Sequence, residues 1–186
     1  MSDFGTALSS RVSDADWKLM AAHAGKSPEE LKAILSAGLE QHFLLKQKLQ
    51  YAPAPTAKAA PSVSLAATTQ SGDCNTQSFN ITLFDVIGLS GTLTLCGTST
   101  SDWSAQLKVC LVVLGAEVVC YQFAFDPHNL GVCWSPNVGI AKASICFNLE
   151  ISSNKVCLNI SGNACVWGFG WHCGDFNVTP FCLPLP

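Results

Sequence analysis

The sequence predicts a mainly β fold: a disulfide-rich antiparallel β-sandwich or barrel preceded by a short α-helical N-terminal segment. Three observations lead there. The apolar pattern has a helical period before residue 51 and a period of two from residue 76 onward. All ten cysteines lie between Cys74 and Cys182, at spacings of 8 to 22 residues. Gly and Asn pairs recur between the short apolar runs, as turns between strands do.

Residues 1–51 are expected to be helical. Ser13-Asp14-Ala15-Asp16 caps a helix of about 14–24 that Gly25 ends. Ser27-Pro28-Glu29-Glu30 is a capping box with proline at the first helical position, and opens a helix of about 28–50. Leu31, Ile34, Leu35, Leu39, Leu45 and Leu49 fall on one stripe of that helix, with Leu44 off it. Two helices this small cannot bury such a stripe between themselves. It is expected to dock on the chain's own β domain or on a neighbouring copy. Leu31, Ile34, Leu35, Leu45 and Leu49 are therefore the candidate assembly residues. Residues 52–66, APAPTAKAAPSVSLA, read as an extended Pro/Ala linker.

Residues 67–186 form the expected β domain. Strand-like runs flank Gly88-Leu89-Ser90-Gly91, Gly115-Ala116 and Ser153-Asn154, giving three hairpins, and Gly162-Asn163 is expected to turn into a further strand from Cys165 to Trp171. With Gly115-Ala116 as a tight turn, Cys110 opposes Tyr121 and Leu111 opposes Cys120. Cys110 and Cys120 then face opposite sides of the sheet and need a register shift to bond. The third hairpin sets Cys157 opposite Glu150. Bridges are therefore expected between non-adjacent strands or into loops. The disulfide candidates are Cys74, Cys96, Cys110, Cys120, Cys133, Cys146, Cys157, Cys165, Cys173 and Cys182. Zinc is the rival use of cysteine, but the chain has no Cys-x-x-Cys pair and no closely spaced histidine pair. No metal or cofactor is expected.

Charge is scarce in the β domain. Residues 67–186 carry three lysines (Lys108, Lys142, Lys155), no arginine and seven acids. Those ten charges in 120 residues are about a third of the usual charged fraction of about 25%. A surface of Ser, Thr, Asn, Gln, Gly and aromatics associates readily with itself, with sugars or with membranes. The net charge of −3 and the absence of a basic patch give no reason to expect nucleic acid. No apolar run approaches the roughly 20 residues of a membrane helix.

Val166-Trp167-Gly168-Phe169-Gly170-Trp171-His172-Cys173 is the most distinctive stretch. In a strand, Trp167, Phe169 and Trp171 share one face, either as a platform for a sugar ring or as a core wall, and the core wall is the favoured reading. Trp134, in a polar loop, is a fourth candidate binding aromatic. Asn80, Asn159 and Asn177 each begin an N-glycosylation triplet. The catalytic search finds only sequence-adjacent pairs, Asp126 with His128 and His172 with Asp175, and no phosphate loop or nucleophile elbow.

The expectation is a non-catalytic, self-assembling structural subunit, an oligomer or polymer, in an extracellular setting. No signal-peptide pattern is visible in Met1–Leu19. The alternative is a glycan- or membrane-binding module, lectin-like or toxin-like, using exposed aromatics.

Overall fold

The computed structural model describes residues 3–49, 60–84 and 86–185. Three helices come first. α1 (Asp3–Arg11) lies in the segment expected to be helical but precedes the two helices whose bounds were expected. It is short, but Phe4 and Leu8 sit one turn apart and bury fully. α2 (Asp14–Ala24) is capped by Ser13, whose Oγ accepts the Asp16 N–H at 3.1 Å, and ends at Gly25 in the left-handed region. α3 (Pro28–Leu49) opens with Ser27 Oγ accepting the Glu30 N–H at 3.1 Å. The Glu30 carboxylate pairs with Lys26 at 3.4 Å instead of returning to the Ser27 amide.

Ten strands follow, forming two antiparallel sheets around one core. The first sheet contains β1 (Ser62–Leu65), β2 (Thr69–Ser71), β3 (Cys74–Phe84), β4 (Ile87–Ser99), β5 (Asp102–Val113) and β6 (Ala116–Phe125), in the order β1-β3-β4-β5-β6 with β2 also paired to β3. The second contains β7 (Gly131–Trp134), β8 (Ala141–Ser152), β9 (Lys155–Trp167) and β10 (Trp171–Pro184), in the order β10-β9-β8-β7. The sheets do not close into a barrel, so the β domain is sandwich-like. β1 lies within the stretch expected to be linker. Ser-Val-Ser-Leu has the period of a strand, and it pairs with β3 while leaving all four side chains exposed.

In the long strands β3, β4, β5, β8 and β9, alternation places one face inside. Phe79, Ile81, Leu89, Leu93, Leu107, Val109 and Leu111 of the first sheet, with Ile145, Phe147, Leu158 and Ile160 of the second, are all 1% exposed or less. Each such side chain contributes roughly 1.5–3 kcal/mol on burial. Among the described residues two polar side chains are buried, Asn75 and Gln77, and both are satisfied. Asn75 Nδ2 donates to the Pro184 carbonyl at 3.0 Å, and Gln77 Oε1 accepts from the Thr68 hydroxyl at 2.6 Å. They hold the chain end and the β1–β2 segment to the sandwich.

The outer faces are polar and nearly uncharged. Thr76 bonds Thr94 at 3.1 Å and Ser78 bonds Thr92 at 2.9 Å across β3 and β4. Asn159 Nδ2 donates to Thr179 at 3.1 Å across β9 and β10.

The expected pairing of non-adjacent strands is overturned. All five disulfides join directly opposed residues of adjacent antiparallel strands: Cys74–Cys96, Cys110–Cys120, Cys133–Cys146, Cys157–Cys182 and Cys165–Cys173. Their Cα atoms lie 3.9 to 4.1 Å apart, near the spacing of a narrow antiparallel pair. The Cys110–Cys120 bridge depends on two shifts in register. The turn is Leu114-Gly115, both at positive φ, and a bulge then sets Val112 opposite Glu117 but Leu111 opposite Val119. Cys110 therefore meets Cys120.

Two further turns moved. Gly88 to Gly91 lie inside β4, with the β3–β4 connection between Phe84 and Ile87. Gly162 and Asn163 lie inside β9, paired to Phe176 and Asp175. Gly162 has no Cβ to collide with the Ser144 carbonyl of β8, so this glycine permits close approach and does not mark a turn.

The helices pack on the β domain. Leu31, Leu35, Leu39 and Phe43, four residues apart, form the buried stripe of α3 and share the core with both sheets. α2 runs along β6, the edge strand of the first sheet. The helical segment thus covers one end and one edge of the sandwich.

Candidate functional site

The distinctive aromatic stretch is a hairpin and not one strand. β9 ends at Trp167, residues 168–170 turn with Phe169 at φ 57°, and Trp171 opens β10 opposite Trp167. The Cys165–Cys173 bridge ties the hairpin below the turn. Trp167 is half-buried, with the Phe4 ring stacked on it at 5.3 Å. Phe169, at the tip, is 49% exposed and lies 4.9 Å from Phe4. Trp171 is 36% exposed. The three aromatics expected on one strand face therefore occupy the two limbs and the tip of a hairpin under α1.

Two cations gather at Trp171. The guanidinium carbon of Arg11, in the last turn of α1, lies 4.9 Å from the Trp167 ring centre and 5.3 Å from that of Trp171. Lys142 Nζ, from β8, lies 4.3 Å from the Trp171 centre. These distances are within cation–π range. Among the described residues neither cation has a carboxylate partner. Arg11 is the sole arginine of the chain, and Lys142 is one of three lysines after residue 66.

An open groove of about 670 Å³ adjoins this cluster, lined by Ser10, Arg11, Asp16, Asn137, Gly139 and Trp171. The 137–139 loop packs against the end of α1, and Asn137 Oδ1 accepts the Gly139 N–H at 3.1 Å. Asp16 accepts from the Ser13 hydroxyl at 2.7 Å. The groove thus combines an indole, one guanidinium, one carboxylate, an amide and a hydroxyl, with the Lys142 ammonium beside its indole. That composition suits a polar ring-shaped ligand better than an apolar one.

Trp134 closes β7 and is half-buried, with Phe123 at 6.3 Å and Tyr121 at 6.5 Å. It belongs to the seam where β6 and β7 meet and is not in the groove. Of the assembly candidates, Leu31 and Leu35 are fully buried within the chain. Ile34 is 40% and Leu45 52% exposed. The side chain of Leu49 lies outside the described residues. Asn80 and Asn177 are exposed on outer faces, and Asn159 is half-buried.

Neither sequence-adjacent acid–base pair is assembled. Asp126 Oδ1 accepts the backbone N–H groups of His128 at 2.8 Å and Asn129 at 3.1 Å, an Asx turn. His172 Nε2 lies 2.9 Å from the Gly168 carbonyl, with its ring stacked on Phe43, while Asp175 on the other strand face accepts from Asn163. Among the described residues, Cys110, Glu117 and Cys120 form a grouping with ligand-like spacing, but its two sulfurs are bonded to each other and supply no thiolate.

The sequence did not point to Arg11, Lys142 or Asn137. The one available signal was that a single arginine stands in a chain with ten basic residues. Comparison with known proteins finds no matching family model, no matching curated protein and no matching solved structure, so the groove is read from its geometry alone.

Proposed function

We propose that this protein is a non-catalytic, self-assembling structural subunit of an extracellular setting, in which the N-terminal helical arm docks on the β domain of a neighbouring copy. The carrying observation is the form of the arm's attachment. Residues 3–49 bury one apolar face of their helices in the core shared with the sandwich, and a single Pro/Ala-rich run of sequence connects the two parts. An arm attached in this way makes the same contacts on its own sandwich or on a neighbour's, so concentration and linker reach decide between them. The scarcity of charge on the β domain lowers repulsion between copies.

The extracellular setting is supported by the five cross-strand disulfides, which persist in oxidising compartments. Among the described residues no helix is long and apolar enough to cross a membrane. Asn80 and Asn177, exposed on outer faces, are the accessible positions for N-glycosylation. The test is light scattering on the full chain and on a chain lacking the helical segment, residues 1–51. The truncated protein is expected to stay folded and to have the lower mass. Two monomers would overturn the proposal.

A second reading, recognition of a glycan, is supported by one observation: Trp171 stays 36% exposed at the edge of a polar groove.

A further inference from the structure

Resting on the glycan-recognition reading, we infer that the groove beside Trp171 binds an acidic saccharide, with Arg11 and Lys142 taking the sugar carboxylate and the indole taking the ring. Three independent features lead to this ligand class.

The first is charge. Arg11 and Lys142 come from parts of the chain far apart in sequence and converge on one indole, at 5.3 and 4.3 Å. Neither is neutralised by a carboxylate among the described residues. Among the residues lining the groove, Asp16 balances Arg11, and Lys142, against the Trp171 ring beside the groove, brings the cluster to one net positive charge. In a domain with so few charges, that is a local preference for an anion. The planar guanidinium fork matches a carboxylate in a way an ammonium alone does not.

The second is the ring. The exposed part of the Trp171 indole, beside the Arg11 and Lys142 side chains that lie over its ring, offers apolar surface to the C–H side of a pyranose. The third is the set of remaining polar groups. Asn137 uses Oδ1 on Gly139 and has no protein partner for Nδ2 among the described residues. Ser10 and Asp16 add a hydroxyl and a carboxylate for sugar hydroxyls. A free inorganic anion would engage the cations but leave the indole, Asn137 and Asp16 unused. A neutral sugar would use the indole but leave both cations without a partner.

The experiment is a titration of the full-length protein, followed through its five tryptophan indole N–H signals in ¹⁵N-edited NMR. Three probes are compared: trigalacturonate, the neutral galactose trisaccharide of the same linkage, and inorganic sulfate. Trigalacturonate is expected to move the Trp171 signal and to leave Trp134 in place, and added salt weakens the effect. Arg11→Gln or Lys142→Gln should each weaken binding about tenfold, the scale of one charge-assisted hydrogen bond. Arg11→Lys should restore part of it, and Trp171→Phe should retain more than Trp171→Ala. Thermal melts of each variant establish that the groove is still assembled.

Equal binding of the acidic and neutral trisaccharides, unchanged by Arg11→Gln, would overturn the acidic-saccharide inference and leave the glycan reading standing. Sulfate matching trigalacturonate would show a simple anion site and overturn both. Absence of any shift at Trp171 would also overturn both.

Discussion

The ring of Phe43 occupies the volume that a Cβ on Gly168 would take. Phe43 lies near the end of α3 and Gly168 in the β9–β10 turn, so this contact locks the helical arm to the sandwich. The same ring stacks on His172 at 4.5 Å, and His172 in turn reaches the Gly168 carbonyl at 2.9 Å. Helix, turn and strand thus meet at one knob. Phe43→Ala should cost about 3–5 kcal/mol, as large-to-small aromatic changes in a core do. Gly168→Ala should also destabilise, by forcing the ring out. In the Phe43→Ala background the second change should cost much less, because the collision is gone. A double-mutant cycle by urea unfolding measures that coupling, and additive losses would show that the knob and notch are independent.

The two tryptophans of the same hairpin should behave differently. Trp167 lies under both Phe4 and Arg11, whereas Trp171 is 36% exposed. Trp167→Ala should lower stability by about 3 kcal/mol or more, and Trp171→Ala by less than half of that. Thermal melts distinguish the two. Similar losses for both would place Trp171 in the core as well.

How far the sequence revealed this structure depends on which residue carried the signal. Helix caps were readable because Ser13, Gly25 and Ser27 act on backbone groups within four residues. The strand period was readable because one face of the long strands β3, β4, β5, β8 and β9 is buried. The turns were harder, since glycine serves two purposes here. Gly162 and Gly88 lie in strands, where another backbone passes close, and only their tertiary neighbours reveal it. The Cys110–Cys120 bridge was hidden by two shifts together: the turn falls at Leu114-Gly115, and one extra residue in β6 then sets Cys120 opposite Cys110. The groove was the least legible part. It joins α1, the first turn of α2, the 137–139 loop and β10, and no local pattern relates Arg11 to Trp171.

Gly162 gives a direct test of the close-approach explanation. A Cβ there meets the Ser144 carbonyl, a backbone atom of the central strand pair that cannot move aside alone. Gly162→Ala should therefore destabilise far more than the usual cost of about 1 kcal/mol or less for an unremarkable site. Circular dichroism melts report it. A neutral outcome would mean that β8 and β9 separate at this point without loss.

The disulfides make a prediction that needs no mutation. Native protein should resist alkylation and take up ten alkyl groups only after reduction under denaturing conditions. Non-reducing digestion should yield the five adjacent-strand pairs. Replacing Cys157 and Cys182 together by serine removes a bridge across 25 residues, and replacing Cys165 and Cys173 removes one across 8. On the loop-entropy model the longer loop stabilises by about 3.5 kcal/mol, and the shorter by roughly 1 kcal/mol less. Urea unfolding of both double variants checks the order.

Arm exchange makes the last prediction, and linker length is its control. α3 ends at Leu49, and the first strand of the β domain starts at Ser62. The residues between them are the only covalent connection from arm to sandwich. Each residue of chain reaches at most about 3.5 Å, so deleting six of them removes roughly 20 Å of span. The contacts the arm makes, including Phe43 at Gly168, are identical on either sandwich, and only the connection differs. Deleting residues 52–57 should therefore disfavour docking within one chain and raise the population of exchanged dimers and larger species. Inserting six Gly/Ser residues at the same place should favour docking within one chain. Light scattering across a concentration series gives the masses, and mixing differently tagged copies shows whether subunits trade arms. If both linker variants keep the mass of the parent protein, the arm is a fixed brace on its own sandwich and the assembly proposal fails.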